Sequence, residues 1–380
     1  MRQGLSFLEA QLAEAKEKSL YRAPDLFASK EPPKRLDRFT DFSSNDYLGL
    51  SQHPRVIAAG ARALREWGTG SSASRLLSGN LTVHEKLEKD LARFKKEEAA
   101  AVFSSGYLAN LGTIGTLVGE KDVVILDRLC HASLVDGARL SKAKLWVYPH
   151  RDANELERLL KRAKTFRRRL VVTDAYFSMD GDIAPLPDLV KACRDTDSML
   201  MIDEAHSTGV YGKNGRGAME YFDMKGGVTV VMGTLSKALG SVGGFICGKT
   251  ALKRSIVNFC RPYIYTTAPS PAASAAASEA LAVISDEPSL RERLWKNTRL
   301  VREGLEERGM DLMGSEGPIV PIRMNDPAKA MKFKEALKKR GFVVSAIRPP
   351  TVPADTARLR LSVSAAHTPE QIARLLKAFK

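Results

Sequence analysis

The 380-residue sequence predicts an α/β fold in which a large domain, built on a mostly parallel sheet covered by helices, is followed by a smaller α+β domain. Short apolar runs alternate with helical segments up to about residue 275, and a different order of helices and strands follows. The length exceeds that of an average domain, and 44% hydrophobic residues can fill a core. We therefore expect an N-terminal helical segment (1–44), a large domain (45–275) and a C-terminal domain (276–380).

The first elements set up the large domain. A helix in which Glu and Lys alternate is predicted from Phe7 to Tyr21, before a Pro-containing stretch around residues 31–33. The strands predicted next, each a short apolar run, are Ala99–Phe103, Val123–Leu126, Leu170–Thr173, Met199–Ile202 and Val228–Met232. Because parallel strands end at the same sheet edge, binding groups are expected at their carboxyl ends.

The C-terminal third changes pattern. Its predicted helices are Pro271–Ile284, Leu290–Arg308, Ala328–Arg340 and Pro369–Phe379. Its predicted strands are Ile319–Ile322, Val343–Ile347 and Leu359–Val363. This mixture is typical of a compact α+β domain.

The composition narrows the classes of protein. A net charge of +15 attracts nucleic acid, anionic lipid or a phosphorylated substrate. The densest basic runs lie at the ends of predicted helices, at Lys161–Arg169 and Lys338–Arg340, where solvated helix faces are expected. The four cysteines form no CxxC pair, and no uncharged apolar run reaches the roughly 20 residues of a membrane span. The N-terminal helix lacks the apolar core of a signal peptide. We expect a cytoplasmic protein that binds no metal, membrane or nucleic acid.

Two charged residues follow apolar strands. Asp203 comes directly after MLMI, and Lys237 follows VTVVMGTLS and precedes a glycine-rich stretch. A carboxylate at a strand end needs a cationic partner, and a desolvated lysine amine can form a Schiff base. Each residue alone is as simply explained by a turn-capping Asp and a surface Lys. Their separation of 34 residues, with one strand between them, predicts that both reach the same crevice.

A third signal is the segment AVFSSGYLAN, which passes from a strand through Ser104, Ser105, Gly106 and Tyr107 into a helix. Exposed N–H groups at a helix N-terminus bind phosphate, and glycine lets the oxygens approach. An amine, a carboxylate and a phosphate cradle are together what pyridoxal phosphate (PLP) requires. The three signals predict a PLP site.

The sequence also resembles a known family, the α-oxoamine synthases of PLP fold type I. The matching segments are FSSNDYLGL (Phe42–Leu50), DRLCHASL (Asp127–Leu134), FSMDGDIAPL (Phe177–Leu186), IDEAHSTGVYG (Ile202–Gly212) and TLSKALG (Thr234–Gly240). Within the family, Ala346–His367 resembles members that condense L-alanine with a pimeloyl thioester of coenzyme A or acyl carrier protein. The resemblance implies the same acyl-transfer reaction for this protein. It also implies a homodimer with active sites at the subunit interface.

Residue roles follow from the resemblance alone. It implies that Lys237 binds PLP as a Schiff base, that Asp203 pairs with the ring nitrogen and that His131 stacks over the ring. Catalytic roles are implied for these three and His206. The other cofactor contacts implied are Ser178 and His206 at the phenolic oxygen, Gly106, Tyr107 and Thr234 at the phosphate, and Thr266 at the phosphate from a neighbouring subunit. The substrate contacts implied are His131, Arg22, Thr351 and Arg360, of which Arg360 binds the amino-acid carboxylate.

Other interpretations remain open at this stage. A related synthase would condense glycine with acetyl-CoA or serine with a long acyl-CoA. A fold type I aminotransferase would share Lys237 and Asp203, and a basic binding protein would need neither. The structural alternatives are that Arg22 caps its helix, that Thr351 shapes the Pro349–Pro353 turn, and that Arg358 and Arg360 lie on a solvated strand face.

One segment departs from the family pattern. Where relatives are rich in glycine, GTGSSASRLLSGN (Gly68–Asn80) has Ser72 and Ala73. A turn that needs positive φ costs more with a side chain than with glycine. The sequence therefore leaves the path of this loop open.

Overall fold

The computed structural model describes residues 5–24 and 39–379, which fall into two compact units. The large unit consists of Asn45–Ser178 and Ile183–Arg293. The small unit consists of the described residues up to Ser44, of Met179–Asp182, and of the described residues from Leu294 onward. The predicted Pro-containing stretch lies outside the described residues. The domain boundaries predicted after residues 44 and 275 stay a prediction.

The elements are numbered in chain order. The helices are α1 Ser6–Glu17, α2 Pro54–Trp67, α3 Thr82–Lys95, α4 Gly106–Leu117, α5 Ala132–Leu140, α6 Ala153–Arg162, α7 Leu186–Asp195, α8 Ala218–Tyr221, α9 Thr250–Phe259, α10 Arg261–Ile264, α11 Pro271–Asp286, α12 Ser289–Glu306, α13 Pro327–Lys339 and α14 Pro369–Lys377. The strands are β1 Thr40–Asp41, β2 Ala99–Phe103, β3 Val123–Asp127, β4 Lys144–Tyr148, β5 Arg169–Asp174, β6 Met199–Asp203, β7 Val230–Thr234, β8 Gly244–Gly248, β9 Ile319–Asn325, β10 Phe342–Val343, β11 Ser345–Ile347 and β12 Ala357–Ser362.

The large unit is built on a seven-stranded sheet in the order β2-β8-β7-β6-β5-β3-β4. Strands β7, β6, β5, β3 and β4 run parallel, whereas β8 is antiparallel to both of its neighbours. The inner strands are apolar and buried along their length, because helices cover both faces of such a sheet. As a result, β2, β7, β6, β5 and β3 all end at the same sheet edge.

The fold class predicted from the sequence is confirmed, but two strands of this sheet were missed. All five predicted strands exist, with the last shifted by two residues to Val230–Thr234. The missed strands are β4, whose side chains at the sheet edge are mostly half-buried or exposed, and β8, which is bounded by Gly244 and Gly248. Edge exposure and flanking glycines hide the apolar pattern on which strand prediction depends.

The small unit has its own core. Strand β12 pairs antiparallel with β11 and β9, and β1 pairs parallel with β10. The predicted strand Val343–Ile347 is two short strands, β10 and β11. Phe42, Val301, Leu359 and Leu361 belong to the buried cluster that holds the unit together. Among the described residues no helix has the length and apolarity required to cross a membrane.

The Gly68–Asn80 loop adopts the costly conformation considered above. Ser72 has φ of 59°, in the left-handed region that glycine occupies most easily. The neighbouring backbone is held by pairing of Ser74 with Thr267 and by the Ser71 hydroxyl, which donates to the Pro269 carbonyl at 2.7 Å. These contacts offset the strain at Ser72.

Candidate active site

Carboxylates collect at the sheet edge where the parallel strands end. Asp127, Asp174 and Asp203 are the last residues of β3, β5 and β6, which are adjacent in the sheet. Asp174 and Asp203 lie directly opposite one another in the β5–β6 register. All three are buried. The edge therefore collects three acidic side chains in a region of low dielectric.

Asp203 is held by two donors on different elements. Its Oδ1 accepts the backbone N–H of Ala205 at 2.8 Å, and its Oδ2 accepts the side-chain amide of Asn110 at 2.8 Å. The side chain is only 4% exposed. These contacts fix the direction of the carboxylate before any ligand binds.

Asp174 lies beside Asp203 and contacts the next element. Burial raises the pKa of Asp174 well above its ordinary value, and the neighbouring Asp203 carboxylate raises it further. Its Oδ2 accepts the backbone N–H of His131 at 2.8 Å. His131 precedes α5 and acts as its N-cap. Asp174 thus anchors the start of the helix that presents His131.

Lys237 reaches the same cluster from β7, which ends three residues before it. The residue is half-buried, and its carbonyl accepts the Gly240 N–H at 2.9 Å. Its cationic amine is close enough to lower the pKa values of both Asp174 and His131. The structure therefore brings Lys237, Asp203 and His131 together, as the sequence predicts.

The start of α4 provides a small-residue cradle at this edge. Ser105 is the N-cap, and its hydroxyl accepts the Leu108 N–H at 3.2 Å. A Cβ at Gly106 would lie 3.0 Å from Met232 Cε and 3.5 Å from Thr234 Oγ1. Gly106 and Thr234 are thus neighbours at a helix N-terminus, where backbone N–H groups bind anions.

Thr234 closes the other side of this cradle. Its hydroxyl donates to the Gly243 carbonyl at 2.8 Å and contacts Ser236 Oγ at 2.7 Å. A Cβ at Gly244 would lie 2.5 Å from Gly106 Cα, so the two glycines pack backbone against backbone. Only glycine fits at Gly244.

Two further residues predicted to contact the cofactor, Tyr107 and Thr266, are not fully buried. Tyr107 follows Gly106, is partly exposed, and donates its hydroxyl proton to Asp136. Thr266 is half-buried and lines a narrow crevice with Ser104 and Tyr263. The assignment of Thr266 to a neighbouring subunit stays a prediction.

His206 lies three residues beyond Asp203 and is 5% exposed. Its Nδ1 contacts the Tyr47 hydroxyl at 2.7 Å, which orients the ring. Ser178 is half-buried at the end of the segment that follows β5. Their predicted contact with the cofactor's phenolic oxygen is not tested by the protein chain alone and stays a prediction.

The predicted substrate residues Arg22, Thr351 and Arg360 belong to the small unit. Arg22 donates to Thr351 Oγ1 at 3.2 Å, well past the end of α1 at Glu17, so Arg22 does not cap that helix. Arg360 donates to Ser362 Oγ at 2.9 Å and is 4% exposed. The solvated strand face considered for Arg360 is therefore wrong.

Arg358, two residues before Arg360, is buried as well. It donates to Asp180 Oδ1 at 2.7 Å and to the carbonyls of Met179 and Thr356 at 3.2 and 3.0 Å. A buried guanidinium with a carboxylate partner has its charge compensated locally. Arg358 is therefore a structural residue of the small unit.

The residues of the large unit fit PLP. A lysine amine, a buried carboxylate already oriented by two donors and a helix N-terminus kept open by Gly106 match the aldehyde, ring nitrogen and phosphate of that cofactor. The fold and this cluster define a PLP-dependent enzyme of fold type I.

Comparisons with known proteins agree with this class. The family profile of class I and II aminotransferases matches residues 37–379. The 8-amino-7-oxononanoate synthase of Thermoanaerobacter pseudethanolicus is 42% identical over 99% of this chain and 96% of its own. That of Symbiobacterium thermophilum is 45% identical over 98% and 96%. A serine palmitoyltransferase variant from S. paucimobilis, solved with a PLP–myriocin aldimine, superposes with a TM-score of 0.93 at 34% identity, over 100% of this chain and 98% of that one.

The chain belongs to the class I and II aminotransferase family and, within it, to the α-oxoamine synthases with the 8-amino-7-oxononanoate synthases. It is a PLP-dependent acyltransferase. The predicted cofactor and enzyme class are thereby confirmed.

Sequence reasoning missed two polar residues of the cluster. Asn110 lies one helical turn after Gly106, and Ser133 lies two residues after His131. The i, i+4 spacing from Gly106 places Asn110 on the same helix face, which is the signal that could have found it. Ser133 carried no comparable signal.

Proposed function

We propose that the protein condenses L-alanine with a pimeloyl thioester to give 8-amino-7-oxononanoate, carbon dioxide and the free thiol carrier, a step of biotin biosynthesis. The bond formed joins alanine Cα to the thioester carbonyl carbon, the C–S bond breaks, and the alanine carboxylate leaves as carbon dioxide. The observation that carries the proposal is full-length identity of 42–45% to proteins curated with this activity.

The residues of the large unit have separate tasks. Bound PLP supplies an aldehyde that captures amines and a protonated ring that withdraws electrons from Cα. Lys237 would bind the aldehyde, and its freed amine would serve as the base that takes the alanine Cα proton. Asp203 keeps the proton on the ring nitrogen, because a carboxylate oriented by Asn110 and Ala205 stabilises the cation. The hydrogen bonds from Asn110 and Ala205 orient the Asp203 carboxylate before a cofactor binds, which supports this assignment.

The remaining assignments rest on the family resemblance. His131 would stack over the ring, and His206 and Ser178 would bind its phenolic oxygen. The phosphate contacts proposed are Gly106, Tyr107, Thr234 and Thr266. The substrate contacts proposed are Arg22, Thr351 and Arg360. The buried guanidinium of Arg360 suits a carboxylate because it donates two parallel hydrogen bonds.

A second candidate is condensation of serine with a long acyl thioester. The TM-score of 0.93 to a serine palmitoyltransferase favours it, although the identity is lower. Purified protein should be assayed with alanine, glycine and serine against acyl thioesters of several lengths, with mass detection of the amino ketone. Preference for alanine with the pimeloyl thioester is expected. Preference for serine with a long chain would establish the second candidate instead.

The acyl carrier, assembly and location complete the proposal. A net charge of +15 suits coenzyme A and acyl carrier protein alike, because both carry phosphate. A homodimer is supported by exposed apolar side chains of the large unit at Leu77, Phe259 and Tyr265. Unpaired thiols at all four cysteines suit the cytoplasm. Light scattering tests the dimer, and an active monomer would contradict it.

A further inference from the structure

Asn110 connects two polar residues of the cluster. Its side-chain nitrogen donates to Asp203 Oδ2 at 2.8 Å and to Ser133 Oγ at 2.9 Å. A carboxylate oxygen only accepts hydrogen bonds, so the atom that faces Asp203 must be the amide nitrogen. This settles the orientation of the amide, and both of its N–H groups are used.

Ser133 passes this orientation on to His131. Ser133 Oγ accepts from Asn110 and lies 2.7 Å from His131 Nδ1. Because Nδ1 accepts a backbone N–H, the Ser133 hydroxyl donates its proton to the same nitrogen. The backbone N–H of Ser133 also points at Nδ1, at 3.3 Å. With two donors directed at it, Nδ1 has no proton of its own, so a neutral ring carries its proton on Nε2.

The pKa of the His131 ring is lowered, which also favours the neutral ring. Desolvation lowers the pKa of the ring, and the Lys237 amine lowers it further, against the opposing carboxylates of Asp203 and Asp136. Asp174 contacts the His131 backbone N–H and not the ring. The outcome is a lowered pKa, which keeps the ring neutral at neutral pH.

We propose that Asn110 and Ser133 are positioning residues that link Asp203 to His131 and hold the His131 ring in the tautomer protonated on Nε2. The consequence for catalysis rests on the proposed function, in which Asp203 and His131 face the cofactor. The free edge of the ring is then a hydrogen-bond donor and not a base. Lys237 therefore remains the group that moves the Cα proton.

The test is ¹⁵N NMR of histidine-labelled, PLP-loaded, full-length protein, which distinguishes a protonated ring nitrogen from an unprotonated one. The chain has six histidines, and the signals of His131 are identified by their loss in His131→Gln. We expect Nδ1 to be unprotonated and Nε2 protonated. A protonated Nδ1 in the unsubstituted protein would overturn the proposal without any variant.

Variants test each hydrogen bond between Asp203 and His131 separately. Ser133→Ala should mix the two tautomers and raise the pKa of His131 towards its ordinary value, and Ser133→Thr, which keeps the hydroxyl, should restore the parent signals. Ser141→Ala is the matched control, because Ser141 ends the same helix and donates to the Ala138 carbonyl at 2.7 Å. An unchanged His131 spectrum in Ser133→Ala would show that Ser133 does not position the His131 ring.

Asn110→Asp tests the link to Asp203. The substituted side chain has nearly the same shape but lacks the two N–H donors, so the Ser133 proton should turn towards it and leave His131 Nδ1. The expected spectrum is the mixed tautomer of Ser133→Ala. If His131 keeps its parent signals, the coupling to Asp203 is wrong. The readout is the ring nitrogens and not turnover, so a different substrate pair would leave the proposal intact.

Discussion

Asp203 and Glu204 are adjacent in sequence and both are buried, yet their surroundings differ in sign. Asp203 belongs to the strand-end cluster, where its neighbour across the sheet is another carboxylate, Asp174. Glu204 forms an ion pair with Lys95, whose amine also donates to Thr208 Oγ1 at 2.7 Å and to a backbone carbonyl at 2.6 Å. Glu204 is paired with a lysine, whereas Asp203 lies beside a second acidic side chain.

The difference distinguishes a carboxylate that stabilises the fold from one that is available to a ligand. A buried ion pair whose donors are all satisfied stabilises one conformation and leaves nothing for a ligand. Burial beside Asp203 raises the pKa of Asp174, and an acidic cluster of this kind favours the arrival of a cation, which in the proposed function is the protonated ring of PLP. Four substitutions test the distinction, beginning with the largest expected effect.

Lys237→Ala should abolish covalent attachment of the cofactor, because the amine that forms the Schiff base is lost. Borohydride reduction followed by peptide mapping measures attachment at each lysine. Lys249→Ala is the matched control, since Lys249 also follows a strand but is exposed and paired with Glu98. Labelling of another lysine in the unsubstituted protein would refute the assignment.

Lys95→Met should lower the free energy of unfolding by about 3–5 kcal/mol, because it leaves Glu204 buried without its partner. Urea unfolding measures the loss. Lys191→Met removes an exposed helical pair with Asp195 and should leave the unfolding midpoint unchanged. Equal midpoints for the two variants would show that the Glu204 pair is not structural.

Arg360→Ala should weaken L-alanine binding roughly tenfold to a hundredfold, the cost of losing a charge-assisted contact of about 1.5–3 kcal/mol. Arg360→Lys should recover part of that loss. Arg358→Ala is the structural counterpart, and it should destabilise the protein through Asp180 while changing alanine binding far less. Titration of the cofactor absorbance with L-alanine decides, and unaltered binding in Arg360→Ala would place the carboxylate elsewhere.

Asp174→Asn should have the smallest effect, and one opposite in sign to that of Lys95→Met. The pKa of Asp174 is raised in the folded protein above its ordinary 3.8, so the folded state binds the proton more tightly than the unfolded state. Stability is therefore lost as the pH rises from 3.8 towards the folded pKa. Asparagine removes that loss and still accepts the His131 N–H, so unfolding free energies without added cofactor should vary less with pH. A steeper pH dependence would contradict this.

The adjacent carboxylates also show how far the sequence could go. The apolar run before Asp203 predicts its place at a strand end, and the spacing to Lys237 predicts their meeting. Nothing in the sequence distinguishes Glu204, because its partner Lys95 is more than a hundred residues away on another helix. Asn110 carries only the i, i+4 spacing from Gly106 as a local signal, and its hydrogen bonds to Ser133 and Asp203 join segments that are far apart in the sequence. Hydrogen-bond networks between distant segments depend on packing, which local patterns do not report.

The backbone contact between Gly106 and Gly244 has a consequence for how this protein can change. A Cβ at Gly244 would lie 2.5 Å from Gly106 Cα, so any residue other than glycine at position 244 is expected to be purged by selection or to fail in a library. Attempts to evolve a new acyl or amino-acid preference should therefore leave the small-residue cradle at the start of α4 unchanged. Diversity is better introduced at exposed positions such as Val242, whose side chain already faces solvent. The glycine pair makes the cofactor end of the enzyme the part that is least open to adaptation.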